Sequence, residues 1–300
     1  MQSGQIRKAI SGYYYIYSEG TTYQTRGRGV FRIQAITPLV GDKVLFESEN
    51  LTDGVLMDIL PRKNELVRPP VANVDRAIIV MSAVEPAFSE QLLDRYLVIL
   101  ESLDMEAVIY ISKTDLLKKE QWEKLKHFQS LYQEIGYHFL LPDPSEKKTT
   151  LNELRSLFKG ELVVFMGQSG AGKSTLLNML APDLKLETGE ISTSLGRGKH
   201  TTRHVELFPL DGGLIADTPG FSSLEFDSIE KEELPNLFPE FEAIADQCRF
   251  TGCFHRHEPG CAVKQAVKKG TIPSFRYEDY LQFLKEIEDR KPDYRKKEKK

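Results

Sequence analysis

Five apolar residues, LVVFM at 162–166, run straight into Gly167-Gln168-Ser169-Gly170-Ala171-Gly172-Lys173-Ser174-Thr175, and the apolar segment LLNML continues from there. This is the complete G-x-x-x-x-G-K-[ST] pattern, set between a strand and a helix as its mechanism requires. The glycines let the backbone curl until its N–H groups point inward at a phosphate, and the following helix adds its positive end. Lys173 is placed to meet the β and γ phosphates, and the hydroxyl of Ser174 to bind Mg²⁺. A glycine-rich turn without a ligand needs neither the buried strand nor the helix.

Two further elements suit a bound nucleotide. LIA at 214–216 leads into Asp217-Thr218-Pro219-Gly220. A carboxylate at a strand end can hold a water of Mg²⁺, and the N–H of Gly220 can meet the γ-phosphate. Between this element and the phosphate loop lies Gly196-Arg197-Gly198-Lys199-His200-Thr201-Thr202-Arg203, glycine-rich and hydroxyl-bearing as a switch loop must be. Thr202 is preferred over Thr201 as the second Mg²⁺ ligand, although spacing alone does not separate them.

The base is read elsewhere. AVIYI at 107–111 leads into Ser112-Lys113-Thr114-Asp115, similar to the N-K-x-D element with which GTPases recognise guanine. Asp115 offers acceptors only, and guanine presents N1–H and N2–H on one edge. Adenine leaves such a carboxylate unpaired, and sites built this way reject the wrong partner by roughly 10⁴-fold or more. The stem of Lys113 can cover the base. Ser112 stands where asparagine is usual, which is expected to weaken a base contact and a tether to the phosphate loop. The order is also reversed, since in ordinary small GTPases the base-reading motif follows the phosphate loop. A sheet survives such permutation when the original termini lay close together, and residues 143–156 are the expected joining segment. Leu140, Leu141 and Pro142 occupy the place of the usual serine-alanine base loop.

These motifs fall in the middle of three predicted domains. Residues 1–68 read as short strands at 13–18, 22–26, 30–36 and 42–48, an all-β barrel of the OB or SH3 type. Pro69-Pro70 gives an extended break. Over 69–226, apolar strands at 77–84, 107–111, 162–166 and 214–216 alternate with helices. One helix is capped by Ser89 and has an apolar face of Leu92, Leu93, Tyr96, Leu97 and Leu100; another lies around 119–135. That rhythm predicts an α/β domain whose mostly parallel sheet is covered on both sides. Residues 227–300 read as mostly helical, with a helix at about 274–288.

The formal net charge of -4 excludes a globally basic nucleic-acid binder but leaves local patches open. Residues 1–68 carry nine Lys/Arg against seven Asp/Glu, and the last eleven residues carry seven against two. The tail is thus the clearest phosphate-seeking feature. Tyr13, Tyr15 and Phe31 can stack on bases or fill the barrel. No apolar run reaches the ~18 residues of a membrane span, and MQSGQIRKAI lacks the apolar core of a secretory signal; a cytoplasmic setting is expected. All three cysteines lie in one short segment, and Cys248, Cys253, His255 and Cys261 give C-x4-C-x-H-x5-C. Three thiolates and an imidazole make a closed tetrahedral Zn²⁺ site of structural type, with His257 as the alternative nitrogen ligand.

In the order SKTD, GQSGAGKST, GRGKHTTR, DTPGF and CRFTGCFHRHEPGCAV, the chain resembles the circularly permuted ribosome-small-subunit-dependent GTPase A (RsgA) family of bacteria over essentially its whole length. The resemblance implies a late maturation factor for the small ribosomal subunit, hydrolysing GTP to GDP weakly alone and faster on the subunit. It implies that the N-terminal OB domain and the C-terminal zinc domain flank the GTPase and touch ribosomal RNA. The chain is expected to act as a monomer, without a membrane. Phe221 follows Gly220 where many GTPases keep a water-orienting glutamine, so His200 is the candidate to orient or deprotonate water, beside Lys173 and Thr202. The rival readings are a nucleotide-gated RNA-binding assembly factor whose hydrolysis is dispensable, and an ATPase or small-molecule kinase, against which SKTD speaks. Asp115→Asn is expected to move preference from guanine toward xanthine, whose edge differs by one donor; competition between the two triphosphates checks this.

Overall fold

A computed structural model describes residues 1–67, 69–182, 205–217 and 226–290. Near the N-terminus, one or two apolar residues per strand set the inside of a barrel. Ile6, Ile16, Val44, Phe46 and Leu56 are fully buried. They lie on β1 (Gln2–Ile10), β2 (Tyr13–Ser18), β4 (Lys43–Ser48) and β5 (Gly54–Ile59); β3 (Thr21–Gly27) completes the set. The strand order is β1-β2-β3-β5-β4, and β4 returns to pair with β1, which closes the barrel. Residues 30–36, expected as a strand, instead contain a short helix, α1 (Gly29–Ile33). The reason lies in burial. Phe31 is 5% exposed, while Ile33, two residues on, is 86% exposed, so the segment has no strand-like alternation. Phe31 is therefore a core residue and not a stacking platform. Tyr13 and Tyr15 remain partly exposed, opposite Arg26 and Gln24 of β3.

β6 (Glu65–Val67) and β7 (Pro70–Ala72) form an antiparallel pair where a plain extended break was expected. The buried carboxylate of Asp42 accepts from the Arg62 guanidinium at 2.7 and 2.8 Å and from the N–H of Leu39 at 2.7 Å. This fastens the barrel to the segment leading into β6.

The central sheet comprises β8 (Arg76–Ser82), β9 (Glu106–Ser112), β10 (His138–Leu140), β11 (Leu162–Met166), β12 (Glu206–Leu210) and β13 (Gly213–Asp217), in the order β10-β9-β8-β11-β13-β12. Its pairs are parallel except β12 with β13. The continuous apolar runs of β8 and β11 are buried throughout, as strands covered on two faces must be. On one face Val80, Tyr110 and Phe165 pack with Leu154 of α4 (Lys147–Leu157) and Leu176 and Leu180 of α5 (Lys173–Leu180). On the other, Tyr132 of α3 (Lys119–Ile135) stacks on Phe139 with ring centroids 5.8 Å apart. The segment that joins β10 to β11 is thus largely a helix, α4, with Leu154 fully buried.

Contacts among the described residues divide the chain into two compact units, Met1–Phe88 with Leu103–Ser223, and Ser89–Ser102 with Leu224–Lys300. The second unit includes α2 (Glu90–Glu101), whose Ser89 cap accepts from the N–H of Leu92 at 3.3 Å. With α6 (Pro239–Glu242), α7 (Ala262–Lys269) and α8 (Ser274–Asp289), it encloses Val98, Phe226, Phe238, Phe241, Tyr280 and Phe283. Within this core, Arg276 of α8 is fully buried. It meets Asp94 of α2 at 2.8 Å and both carboxylate oxygens of Glu240 at 2.7 and 2.9 Å.

Asp279 lies one turn further along α8 and hydrogen-bonds Asp94. Burial, reinforced by the charge of Asp94, raises its pKa from 3.8 to about 7. The folded unit therefore keeps a proton that the unfolded chain has released between those values, and stability falls as pH rises across that window. Thermal melts of Asp279→Asn should show a flatter pH dependence than wild type, and greater stability at about pH 8, where the wild-type carboxyl pair is left to repel.

Candidate nucleotide site and metal centre

β8 and β11 are adjacent and parallel, so the loop leaving β11 must pass close to β8. Gly167 makes this turn with φ +138°, and a Cβ there would lie 2.1 Å from the carbonyl oxygen of Val80. No side chain fits. Gly172, with φ +90°, caps α5. Between them Gln168, Ser169 and Gly170 are exposed and Ala171 is buried. Lys173 Nζ donates to the carbonyls of Gly167 and Gln168, both at 2.7 Å, so the ammonium sits against the loop it would serve. Burial lowers its pKa from the ordinary value. Ser174 and Thr175 lie in the first turn of α5, where backbone N–H groups have no helical partner.

β9 ends on the far side of β8. Ser112 Oγ donates to the carbonyl of Ala171 at 2.5 Å. The tether that serine was expected to weaken is present. Lys113 adopts the left-handed conformation at φ 56°, and its ammonium donates to the carbonyl of Glu85. Thr114 is buried and Asp115 exposed in the turn Thr114–Leu116. A concavity of about 250 Å³ lies over this turn, lined by Thr114, Asp115, Leu117, Lys119, Trp122, Asp143 and Pro144. Leu140, Leu141 and Pro142 do not line it; Leu140 is a buried residue of β10. Asp143 is held by accepting from the N–H and hydroxyl of Ser145 at 2.8 and 2.6 Å. Sequence reading missed Trp122 and Asp143 because neither belongs to a motif. The general rule that ligands lie beyond the carboxyl ends of parallel strands is the signal that points to the loop after β10. β13 ends at Asp217, on that same edge. Thr218, Gly220 and Phe221, with His200, Thr201 and Thr202, lie outside the described residues.

In the second unit, Cys248, Cys253, His255 and Cys261 bring their donor atoms within 4.8 Å of one another. His255 Nδ1 is 3.3 Å from Cys261 Sγ and 3.7 Å from Cys248 Sγ. A tetrahedral thiolate–imidazole site requires separations of roughly 3.5–3.8 Å. The structure therefore selects His255 over His257. The donor set suits a soft divalent ion. Burial pushes the Cys253 thiol up to about 12 and also raises Cys261, whereas burial lowers His255 and keeps its ring neutral. A cation at the centre reverses the thiol preference. Backbone N–H groups of His255, Ala262 and Lys264 donate to Cys253, Cys248 and Cys261 at 3.3–3.4 Å, which favours thiolate charge.

Glu258 organises the ligand loop, although no motif marks it. Its carboxylate accepts from the N–H groups of Phe254, Arg256 and His257 at 2.9, 2.7 and 2.9 Å, around a His255 held at φ 54°. Burial pushes its pKa up, yet its own backbone N–H and these three donors together bring it below the ordinary value. Tyr277 and Tyr280 donate to the carbonyls of His255 and Phe254, each at 2.6 Å.

A glycine cradle, a guanine-type loop tied to it but preceding it in the chain, and one mostly parallel sheet beneath both define a circularly permuted GTPase. The RsgA GTPase profile matches residues 59–227, and the RsgA N-terminal domain profile matches residues 3–56. The chain belongs to the RsgA GTPase family. A protein of Enterococcus faecalis named small ribosomal subunit biogenesis GTPase RsgA is 60% identical over 294 residues, 98% of each chain. One of the same name from Streptococcus pneumoniae is 52% identical, covering 99% of this chain and 98% of its own. Among solved structures, YloQ, described as a circularly permuted GTPase, superposes with a TM-score of 0.83 at 45% identity over 98% of this chain and 97% of that one. YjeQ from Thermotoga maritima gives 0.83 at 35% identity over 97% and 99%.

Removing the Glu258 carboxylate frees three loop amides without touching a ligand. Glu258→Ala should weaken divalent-metal retention by about 10- to 100-fold, measured by competition with a chromophoric chelator on the full-length protein.

Proposed function

We propose that this GTPase acts in late maturation of the small ribosomal subunit, binding its RNA and hydrolysing GTP to GDP and phosphate at a rate the subunit raises. The observation that supports the reading is 60% identity, over 98% of the chain, with a relative named a small ribosomal subunit biogenesis GTPase. It works as a cytoplasmic monomer; no helix among the described residues is long and apolar enough to cross a membrane.

Catalysis is positioning and charge stabilisation. The N–H groups of residues 167–175 cradle the phosphates, and Lys173 exchanges two backbone carbonyls for β and γ oxygens. Ser174 and Thr202 are the residues to hold Mg²⁺, which when bound neutralises charge on the phosphate oxygens. Asp217 supports its hydration and Gly220 meets the γ-phosphate. Asp115 takes the donor edge of guanine, Lys113 covers the ring, and Thr114 packs beneath the turn. His200 orients the attacking water, a role that Phe221 has no polar atom to fill. Cys248, Cys253, His255 and Cys261 would hold one structural Zn²⁺, whose binding would stabilise the C-terminal unit. The RNA-facing features are the N-terminal barrel and the basic residues of the C-terminal tail.

Phosphate release from GTP and ATP, with and without purified small subunits, tests this directly. The expected result is GTP turnover raised by the subunit and little turnover of ATP; equal use of ATP overturns the guanine assignment. His200→Ala should keep GTP affinity near wild type and lower stimulated turnover at least about tenfold. Unchanged turnover removes His200 from the mechanism. Equal release from the subunit with GTP and with a non-hydrolysable analogue would transfer the switch from hydrolysis to binding alone.

A further inference from the structure

A serine hydroxyl has one proton to donate, and Ser112 has two carbonyls within reach. Ala171 of the phosphate loop lies at 2.5 Å and Met81 of β8 at 3.3 Å. Both accept only, so the proton goes to the nearer, leaving none for a nucleotide base. Guanine's other edge, N7 and O6, consists of acceptors. Ser112 therefore has nothing with which to bond it. A carboxamide at this position carries two N–H donors and can serve loop and base together. The hydroxyl also fills its space closely, since a Cβ on Gly172 would come 3.3 Å from Ser112 Oγ and 3.4 Å from its Cβ. The strand end thus meets the phosphate loop through this side chain.

We propose that Ser112 is a positioning residue for the phosphate loop and not a reader of the base, so that guanine is selected at its donor edge alone, by Asp115. This rests on the GTPase reading of the same site. The hydroxyl fixes the loop from β9, and its loss weakens phosphate binding by a factor that does not depend on the base.

Binding of GDP and 7-deaza-GDP, in which N7 is replaced by C–H, separates the two roles in the full-length protein. Ser112→Ala should weaken both by about 3- to 10-fold and leave their ratio at the wild-type value. Ser112→Thr, which restores the hydroxyl, should bring both back to within about twofold. A ratio altered by Ser112→Ala means the hydroxyl touches the base and overturns the proposal. Unchanged affinities, or no recovery with threonine, overturn it as well, by removing the hydroxyl from phosphate binding. Wild-type binding of GDP against ADP is measured alongside. A wild type that takes both alike defeats the guanine reading instead, and the two failures are thereby distinguished.

Discussion

Where β11 leaves the sheet, its chain passes so near the Val80 carbonyl that residue 167 can carry no side chain. That close approach fixes the rest of the nucleotide site. It holds the cradle against the end of β8, and β8 is hydrogen-bonded along its length to β9. Ser112, at the end of β9, can then reach across to Ala171. Three parallel strands in register thus turn two loops far apart in sequence into one surface. Permuting the chain changes which loops are covalently consecutive but leaves this register intact, because strand neighbours and not connections set the distances.

The C-terminal unit meets a different constraint. It has one short-helix core and buries groups that resist burial: an arginine among carboxylates, and three thiols around an imidazole. Each set is satisfied by convergence. Arg276 meets Asp94 and Glu240 directly, and the sulfurs meet backbone N–H groups and the imidazole of His255. Removing one partner from either set leaves the others uncompensated in a dry interior, which is far more damaging than the net stabilisation of the set suggests.

Much of this was legible in the residues. LVVFM coincides with β11, Ser89 caps a helix, and the helix expected around 119–135 is α3, because each signal was local: a continuous apolar run, a capping hydroxyl, a 3.6-residue period. The metal quartet was legible because its spacing encodes its geometry. What escaped had no local signature. In β1 only Ile6 is fully buried among nine residues, so no period-two pattern stands out. Residues 30–36 look like a strand by composition, and only the folded context buries Phe31 alone in a short helix. Glu258 acts through backbone amides, Asp143 through the fold that brings it beside Asp115, and neither leaves a mark at fixed spacing. The apolar stripe of α2 announces a helix but not which core will receive it.

The allegiance of α2 has a consequence for biosynthesis. Gln91 and its partner Asp279 are separated by 188 positions, so a helix made early completes its environment only when the last described helix has left the ribosome. Until then the Asp94 carboxylate awaits its guanidinium and Val98 its aromatic neighbours. A nascent or truncated chain ending near the close of the central sheet displays that unfinished face to solvent, where it is a target for chaperones and proteases. Neither unit can be excised as a continuous stretch of gene, and a clean separation requires joining Phe88 to Leu103 as well as cutting beyond the sheet.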